Sequence, residues 1–395
     1  MKILMTGGGS GGHITPILAV ADEIKRLEPE CELIYVGQRG DGLADIPAAD
    51  PNIDAVYSVW AGKLRRYADE GWRQWLHVRT QLLNLRDIAR VIYGIWQSYW
   101  LVRRLKPDVV FTRGGFVSVP VAFGARLNGV PYITHDADSI PSLANRLIAS
   151  GAIKHAVALP AELYPYPAAK TVVVGVPVHK NYELVTEALR AEYRKKLKVP
   201  AKAKMVFLTG GGNGARALNH AMLANARYLL TTFKDLVIVH VAGRALEAET
   251  KQAYDALNLG ESRKRVVVRG FVSDSYRYSG AADIIIARGG ATSLAEFALQ
   301  RVACLIVPSK QLGWNVKNAE VLAREDAVVS LHEEQAEQPE RLGRVIGELL
   351  EDDKRRQKLA HKLAVYARPN ATHDLAQVVL DIANNRGGKD AVRKV

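Results

Sequence analysis

The chain opens Met1-Lys2-Ile3-Leu4-Met5-Thr6-Gly7-Gly8-Gly9-Ser10-Gly11-Gly12-His13. Residues 2–5 are a short apolar run, the length of a buried strand. Glycines follow, and over 16–27 the apolar side chains Ile17, Val20, Ala21 and Ile24 return at helical spacing. Strand, glycine loop and helix in that order predict the first unit of a parallel sheet with crossover helices. The alternation continues outward: strands over 33–36 and 108–112, a loop at Gly114-Gly115, a helix over 120–127 and a strand over 132–134. It then restarts. Residues 205–208 read as strand, Gly210-Gly211-Gly212-Asn213-Gly214 as loop, 215–230 as helix and 236–241 as strand. A strand over 283–287 leads to Gly289-Gly290 and a helix over 292–299.

Two loops occur twice. Thr6-Gly7-Gly8-Gly9-x-Gly11 is echoed by Thr209-Gly210-Gly211-Gly212-x-Gly214, and Arg113-Gly114-Gly115-x-x-Ser118 by Arg288-Gly289-Gly290-x-x-Ser293. Both echoes keep their order, which predicts two similar doubly wound domains. The expected division is 1–178, 179–368 and 369–395, with a linker between Gly175 and Pro200. The last helix, 372–385, comes after Pro369 and is free to reach back to the first domain.

Composition bounds the rest. The chain has 395 residues, 48% of them hydrophobic and 24% charged, which supports folded cores and excludes a disordered polymer. Two distant cysteines, Cys31 and Cys304, exclude a disulfide framework or a Cys-rich zinc site. The longest apolar stretch, 91–102, is broken by Gln97 and Ser98 and is shorter than the ~20 residues of a membrane span. No signal-peptide pattern precedes the first glycines. Lys+Arg total 54 against 41 Asp+Glu, a net +13. Much of the excess lies between Lys63 and Lys106, with ten basic and three acidic side chains. Trp60, Trp72, Trp75, Trp96 and Trp100 lie in or beside this segment. A basic, aromatic surface fits nucleic acid, a membrane face or an acidic substrate.

A glycine loop between strand and helix leaves backbone N–H groups free at a helix N-terminus, a site for phosphate. Gly7-x-Gly9-x-x-Gly12 matches the dinucleotide fingerprint. That fingerprint also needs a carboxylate after the second strand, where Gly37-Gln38-Arg39 and Ala242-Gly243-Arg244 have none. No Gly-Lys-[Ser/Thr] follows either loop, which excludes a P-loop. His13 adjoins the first loop, and a histidine there serves as a general base or packs the helix start. Glu296, two turns into the helix after Gly290, is able to accept two ribose hydroxyls or to stand as a surface carboxylate. Asp136-x-Asp138 has the spacing of a metal–diphosphate pair, although helix N-termini stabilise a diphosphate without metal.

Longer motifs add a resemblance to these readings. Gly7-Gly8-Gly9-Ser10-Gly11-Gly12-His13-x-x-Pro16, Gly114-Gly115-Phe116-Val117-Ser118-x-Pro120 and His135-Asp136-x-Asp138-x-x-Pro141-x-x-Ala144-Asn145-Arg146 resemble the MurG family of glycosyltransferase family 28. So do Gly210-Gly211-x-x-Gly214-Ala215, Arg288-x-Gly290-Ala291-Thr292 with Glu296, and the segment from Gln311 to Asn318-Ala319. Residues 61–67 look like the family's acceptor-side loop. Together these motifs run in order from residue 1 to about 320.

The resemblance implies a GT-B fold, two Rossmann-like domains facing across a cleft. It implies an inverting, metal-independent transfer of N-acetylglucosamine from UDP-N-acetylglucosamine to lipid I, giving lipid II for peptidoglycan. No cofactor and no nucleic acid are expected. By position, Gly211, Gly212, Asn213, Gly214 and Ala215 would meet the donor diphosphate. Arg288, Ala291 and Thr292 would lie against the nucleotide, Glu296 would hold the ribose, Gln311 would belong to the donor side, and Asn315 and Asn318 would approach the sugar. Gly9, Ser10, Gly11, Gly12, Gly114, Gly115, Ser118, His135, Asp138 and His179 would serve the acceptor and its diphosphate. His13 would be the base or an acceptor-phosphate contact.

The sequence departs from the family at Gly212-Asn213 (commonly Ser-Gln), His179 (often Arg), Asp136 (usually Glu) and Asn315 (Gln expected). These departures leave open another glycolipid acceptor, an epimerase-like reaction, or a non-catalytic nucleotide-sugar-binding protein. The basic tryptophan segment lies on the acceptor side. It is expected to be a peripheral membrane face, with Trp72, Trp75, Trp96 and Trp100 at an anionic bilayer on the cytoplasmic side.

Overall fold

The structure, a computed structural model, describes residues 1–8, 11–63, 77–212, 214–338 and 340–392, with backbone alone at 11–13 and 386–392. The chain divides into two compact units, Met1–Val178 with Asn370–Val395, and His179–Pro369.

The first unit runs β1 (Lys2–Thr6), α1 (Gly11–Leu27), β2 (Glu32–Gln38), α2 (Asp45–Ala48), β3 (Ala55–Val59), α3 (Val78–Leu105), β4 (Val109–Thr112), α4 (Ser118–Leu127), β5 (Tyr132–Asp136), α5 (Leu143–Ile148), β6 (Lys154–Val157) and β7 (Thr171–Val173). Its strands are parallel, in the order β3-β2-β1-β4-β5-β6-β7. The second unit runs α6 (Glu187–Lys196), β8 (Lys204–Thr209), α7 (Arg216–Thr232), β9 (Leu236–Val241), α8 (Glu247–Ala256), β10 (Val266–Arg269), α9 (Ser275–Ala281), β11 (Ile284–Ala287), α10 (Ala291–Gln300), β12 (Ala303–Ile306), α11 (Gly313–Arg324), β13 (Val329–Ser330), α12 (Glu333–Ala336), α13 (Arg341–Glu351) and α14 (Asp353–Ala364). Its sheet is also parallel, in the order β10-β9-β8-β11-β12-β13.

Parallel strands covered on both faces are apolar throughout, and these behave so. On β1, Ile3 and Met5 pack under α1 while Leu4 joins the opposite layer beneath α4. On β8, Val206 and Leu208 face one core and Met205 and Phe207 the other. In both sheets the strand order reverses between the strands that carry the repeated loops, β1 and β4 in one and β8 and β11 in the other. Ligands bind at the carboxyl ends of strands at such switch points.

The final helix, α15 (Ala371–Val392), belongs to the first unit. Leu375, Ala376, Val379, Leu380 and Ala383 are buried against the α1 side chains Ile14, Ile17, Ala21 and Ile24. A fully buried Leu or Val contributes about 1.5–3 kcal/mol, so this segment completes a core layer instead of trailing from it.

Some expected boundaries move. α1 begins at Gly11, before Pro16, because a proline in the early turns removes only one hydrogen bond, the one to the Gly12 carbonyl. α3 starts at Val78, and Trp72 and Trp75 lie outside the described residues. It ends where Lys106 turns left-handed (φ 50°) and donates its N–H to the Val102 carbonyl, directly before Pro107. The short strands β3, β6, β7, β10, β12 and β13 escaped the periodicity. Runs of two to five residues carry too little pattern to separate from loop.

Candidate functional site

In the second unit a cavity of about 710 Å³ opens at the carboxyl ends of β8 and β11. Its volume suits a small-molecule ligand. Three helices begin on its wall. α7 opens after Ala215, α10 after Gly290 and α11 after Leu312, and none of the three has a side-chain cap. No side chain therefore competes with an anion for their first N–H groups, although the Asn315 N–H of α11 donates to the Leu312 carbonyl at 2.8 Å, and the three macrodipoles add positive potential. Arg216, Arg288 and Lys310 also line the cavity, with Glu333 and Glu337 as counter-charges.

The turn between β8 and α7 is built for close approach. The Gly214 N–H donates to the Gly211 carbonyl at 2.9 Å, and the Gly211 N–H to the Thr209 hydroxyl at 3.2 Å. Gly214 has φ +75°, and a Cβ there would lie 2.0 Å from the Ala242 carbonyl oxygen. Only glycine fits. Gly212 is exposed beside this turn, and Asn213 lies outside the described residues.

On the opposite wall Arg288 forms an ion pair with Glu333 at 2.6 Å and donates to the Val307 carbonyl at 3.0 Å. Gln311 and Asn315 line the cavity. Three residues expected at the donor lie off this wall. Asn318 is buried, and its amide donates to the Gly289 carbonyl at 2.8 Å, so it shapes the loop from behind. Ala291 and Thr292 are half-buried but not on the cavity wall, where Gly290 and Ser293 stand instead. The helical turn carries the next side chain, not theirs, toward the opening.

Glu296 is half-buried, with the Tyr182 hydroxyl hydrogen-bonded to its carboxyl. Burial pushes its pKa up to about 8 against the lowering effect of that hydrogen bond. Tyr182, Arg216, Lys310 and Glu333 were not picked out by sequence, and Ser293 only as the end of a repeated loop. Arg216 directly follows a glycine loop, and Ser293 closes the repeated Arg-Gly-Gly-x-x-Ser pattern. Glu333 belongs to no motif and reaches the cavity wall only through the fold, whereas Tyr182, like Glu296 beside it, does not line that wall.

In the first unit the loops after β1, β4 and β5 meet. A Cβ on Gly115 (φ +80°) would lie 2.8 Å from the Gly8 carbonyl oxygen. Gly9 and Ser10 lie outside the described residues. Gly11, Gly12 and His13 form the first turn of α1, and of the His13 side chain nothing is described. Ser118, expected at the acceptor, is fully buried. Its hydroxyl donates to the Gly114 carbonyl at 2.7 Å and holds that loop from inside.

His135 is corrected likewise. It is fully buried, its Nε2 sits 2.8 Å from the Gly175 carbonyl, and burial together with the nearby Arg113 lowers its pKa well below the usual range. A neutral interior imidazole ties β5 to the chain after β7. Arg113 is also buried, with the carboxylates of Asp138 and Asp136 as opposing charge. Asp136 accepts from Tyr166 at 2.7 Å and from Asn145 at 2.8 Å, which occupies both its oxygens. Asp138 is half-buried beside it. His179 is exposed, its Nδ1 accepting the Asn181 N–H at 3.3 Å. Among the described residues no group of three or more His, Cys, Asp or Glu is placed to hold a metal.

α3 is amphipathic in an unusual sense. Its inward face carries Asp87, Gly94, Ser98 and Val102, while Val78, Leu82, Leu85, Ile92, Trp96 (57% exposed) and Trp100 (52% exposed) form one outward stripe. Glycine makes the inward packing possible, since a Cβ on Gly94 would lie 1.9 Å from the Trp60 carbonyl oxygen. Arg79, Arg86, Arg103 and Arg104 are exposed around the stripe. No described helix is long and apolar enough to cross a membrane.

Comparison with known proteins matches both units. The glycosyltransferase family 28 N-terminal domain matches residues 3–157, and the glycosyltransferase family 28 C-terminal domain matches residues 205–378. A protein of Moorella thermoacetica is 30% identical over 389 residues, covering 96% of this chain and 98% of its own. A protein of Geobacillus kaustophilus is 33% identical over 310 residues, 78% of each chain. Both are named UDP-N-acetylglucosamine–N-acetylmuramyl-(pentapeptide) pyrophosphoryl-undecaprenol N-acetylglucosamine transferase. The crystal structure of Acinetobacter baumannii MurG shares the fold, with a TM-score of 0.74 at 23% identity, covering 96% of this chain and 99% of that one.

Proposed function

The chain belongs to glycosyltransferase family 28, and from that premise we propose that it moves N-acetylglucosamine from UDP-N-acetylglucosamine to the C4 hydroxyl of N-acetylmuramic acid in lipid I, giving lipid II for peptidoglycan. The observation that carries this assignment is the match over 96% of the chain to a transferase named for that reaction.

The second unit supplies the donor side. UDP would sit in the cavity with its diphosphate over the Gly211–Gly214 turn and the uncapped starts of α7, α10 and α11. Negative charge grows on the diphosphate as the glycosidic C–O bond breaks. N–H groups already aimed at it stabilise the transition state without reorganising. Arg288 would add a permanent cation, held in place by Glu333 and the Val307 carbonyl. Glu296 would accept the ribose hydroxyls in place of Tyr182.

The acceptor hydroxyl would attack C1 from the opposite face, inverting the anomeric centre. His13, on the first turn of α1, would take its proton, an effect of ~10²–10⁴-fold. The Gly8 and Gly114-Gly115 loops would meet the acceptor diphosphate through backbone N–H groups.

We place the chain at the cytoplasmic face of the membrane, docked through α3. An outward stripe of aliphatic and indole side chains ringed by arginines has the chemistry of an interfacial helix on anionic lipid.

One assay tests the whole assignment. Incubation with UDP-N-acetylglucosamine and a lipid I analogue should yield a disaccharide lipid and UDP. A new free nucleotide sugar made without acceptor would point to an epimerase, and no product to a binding protein. His13→Ala should keep UDP affinity and lose transfer, and unchanged turnover would remove His13 from the chemistry.

A further inference from the structure

Behind the donor cavity lies a polar cluster in the core of the second unit. His240, the penultimate residue of β9, is fully buried, as is Tyr254 of α8, and Asn219 of α7 is 2% exposed. The Tyr254 hydroxyl lies 3.0 Å from His240 Nδ1, and Asn219 Oδ1 lies 3.0 Å from His240 Nε2. Asn219 Nδ2 donates to the Ala242 carbonyl at 2.9 Å. That carbonyl is the atom against which Gly214 is pressed.

The direction of every bond follows. A carbonyl only accepts, so the Asn219 amide must present its NH2 to Ala242 and its oxygen to the imidazole. His240 Nε2 must then carry a hydrogen. Burial lowers the pKa of the ring to about 3, so it is neutral, and its Nδ1 lone pair accepts from the Tyr254 hydroxyl. The result is one continuous chain, Tyr254 to His240 to Asn219 to the Ala242 carbonyl, in which each group has a single allowed role. A buried network satisfied at every link is rigid, because reversing one member orphans its neighbours.

We propose that Tyr254, His240 and Asn219 are positioning residues, a one-directional hydrogen-bond chain that fixes the Ala242 carbonyl against Gly214 and so holds the glycine turn in the shape that receives the donor diphosphate. None of the three lines the wall of the main cavity, and they act only through Ala242. The proposal rests on the donor assignment made above.

The test compares UDP with uridine, which lacks the phosphates, by calorimetry on the full chain. Asn219→Asp keeps the shape and still accepts from His240, but it sets an oxygen against the Ala242 carbonyl. It should weaken UDP about ten-fold and leave uridine unchanged, since the lost contact shapes only the phosphate turn. Equal losses for both ligands, or no loss, would overturn the proposal in favour of a purely structural network. If Asn219→Asp does not fold, Tyr254→Phe removes only the distal hydroxyl and should weaken UDP about three-fold with uridine again unchanged. An equal effect on both ligands, or none, would count against the proposal here too. Ring ¹⁵N shifts of His240 in the wild-type chain should report hydrogen on Nε2, and hydrogen on Nδ1 would break the chain of donors. A wild-type chain that binds no UDP would remove the donor assignment and this inference together, whereas normal UDP binding with an unaltered ratio removes the inference alone.

Discussion

Glu296→Gln is the substitution whose consequence is most fully determined by the site. The Glu296 carboxyl has its pKa pushed up to about 8 by burial, so in the free chain at pH 7 it is about nine-tenths protonated. A ribose diol donates two hydrogen bonds, and the carboxylate is the form that accepts both. Binding UDP in that form therefore expels close to one proton at pH 7. The ionised fraction rises from about a tenth at pH 7 to about nine-tenths at pH 9, so UDP affinity should rise roughly ten-fold across that interval. Calorimetry in two buffers of different ionisation enthalpy measures the released proton directly. Glu296→Gln should abolish both the release and the pH slope, and should bind UDP more weakly than wild type at pH 9. The free protein supplies a second check with a fixed sign. A carboxyl whose folded pKa is raised holds a proton that the unfolded chain releases, so its effect on stability is unfavourable above pH ~4.5 and grows until pH 8. Wild type should lose stability relative to Glu296→Gln across that window, at no more than about 1.4 kcal/mol per pH unit. Wild type and variant sharing one pH slope and one proton count would refute the assignment of Glu296 to the ribose.

Three further outcomes follow from the packing. Gly214→Ala puts a methyl 2.0 Å from the Ala242 oxygen on a left-handed backbone, and should weaken UDP by at least about ten-fold and lower the melting temperature. An unchanged UDP titration would mean the turn does not carry the phosphates. Trp96→Glu with Trp100→Glu should abolish co-sedimentation with anionic vesicles while leaving UDP affinity intact, because both side chains are more than half exposed on α3. Retained vesicle binding would exclude this face. Glu23 of α1 is held at a pKa of about 2, chiefly by its hydrogen bond from Arg26 and also by His373 of α15. A depressed carboxyl contributes stability above its unfolded pKa near 4.5 and loses it as pH falls through 2, so Glu23→Gln should flatten acid unfolding in that window. Parallel acid-unfolding curves for wild type and variant would show that the pair contributes nothing.

How much of this was legible beforehand differs by element. β1, β4, β8 and β11 could be read because each is a run of apolar residues ending in glycine. The order of the two repeated loops already implied two doubly wound sheets. The glycines of the turn between β8 and α7 were legible for the same reason. That His135, Ser118 and Asn318 are buried against loop carbonyls was not legible, because a polar residue inside a motif looks the same whether it is open to solvent or props the loop from behind. Burial separates the two, and burial is a property of neighbours far away in the chain. α3 shows the opposite limit. Its apolar residues were visible, but which face turned outward was decided by Gly94 fitting against the Trp60 carbonyl.

The sequence by itself determined the family, the two-domain α/β plan, and the places where glycine loops join strand to helix. Those follow from local rules: apolar period, glycine at strand ends, and motif order along one chain. Only the tertiary structure decided that three uncapped helices open on one cavity, that Glu333 pins Arg288 at its wall, and that His240 bonds Asn219, whose amide meets the Ala242 carbonyl beside Gly214. Each of these depends on residues that are distant in sequence arriving within about 3 Å of one another, the range at which a hydrogen bond forms. No local pattern encodes that approach, because it is set by the close packing of the whole domain.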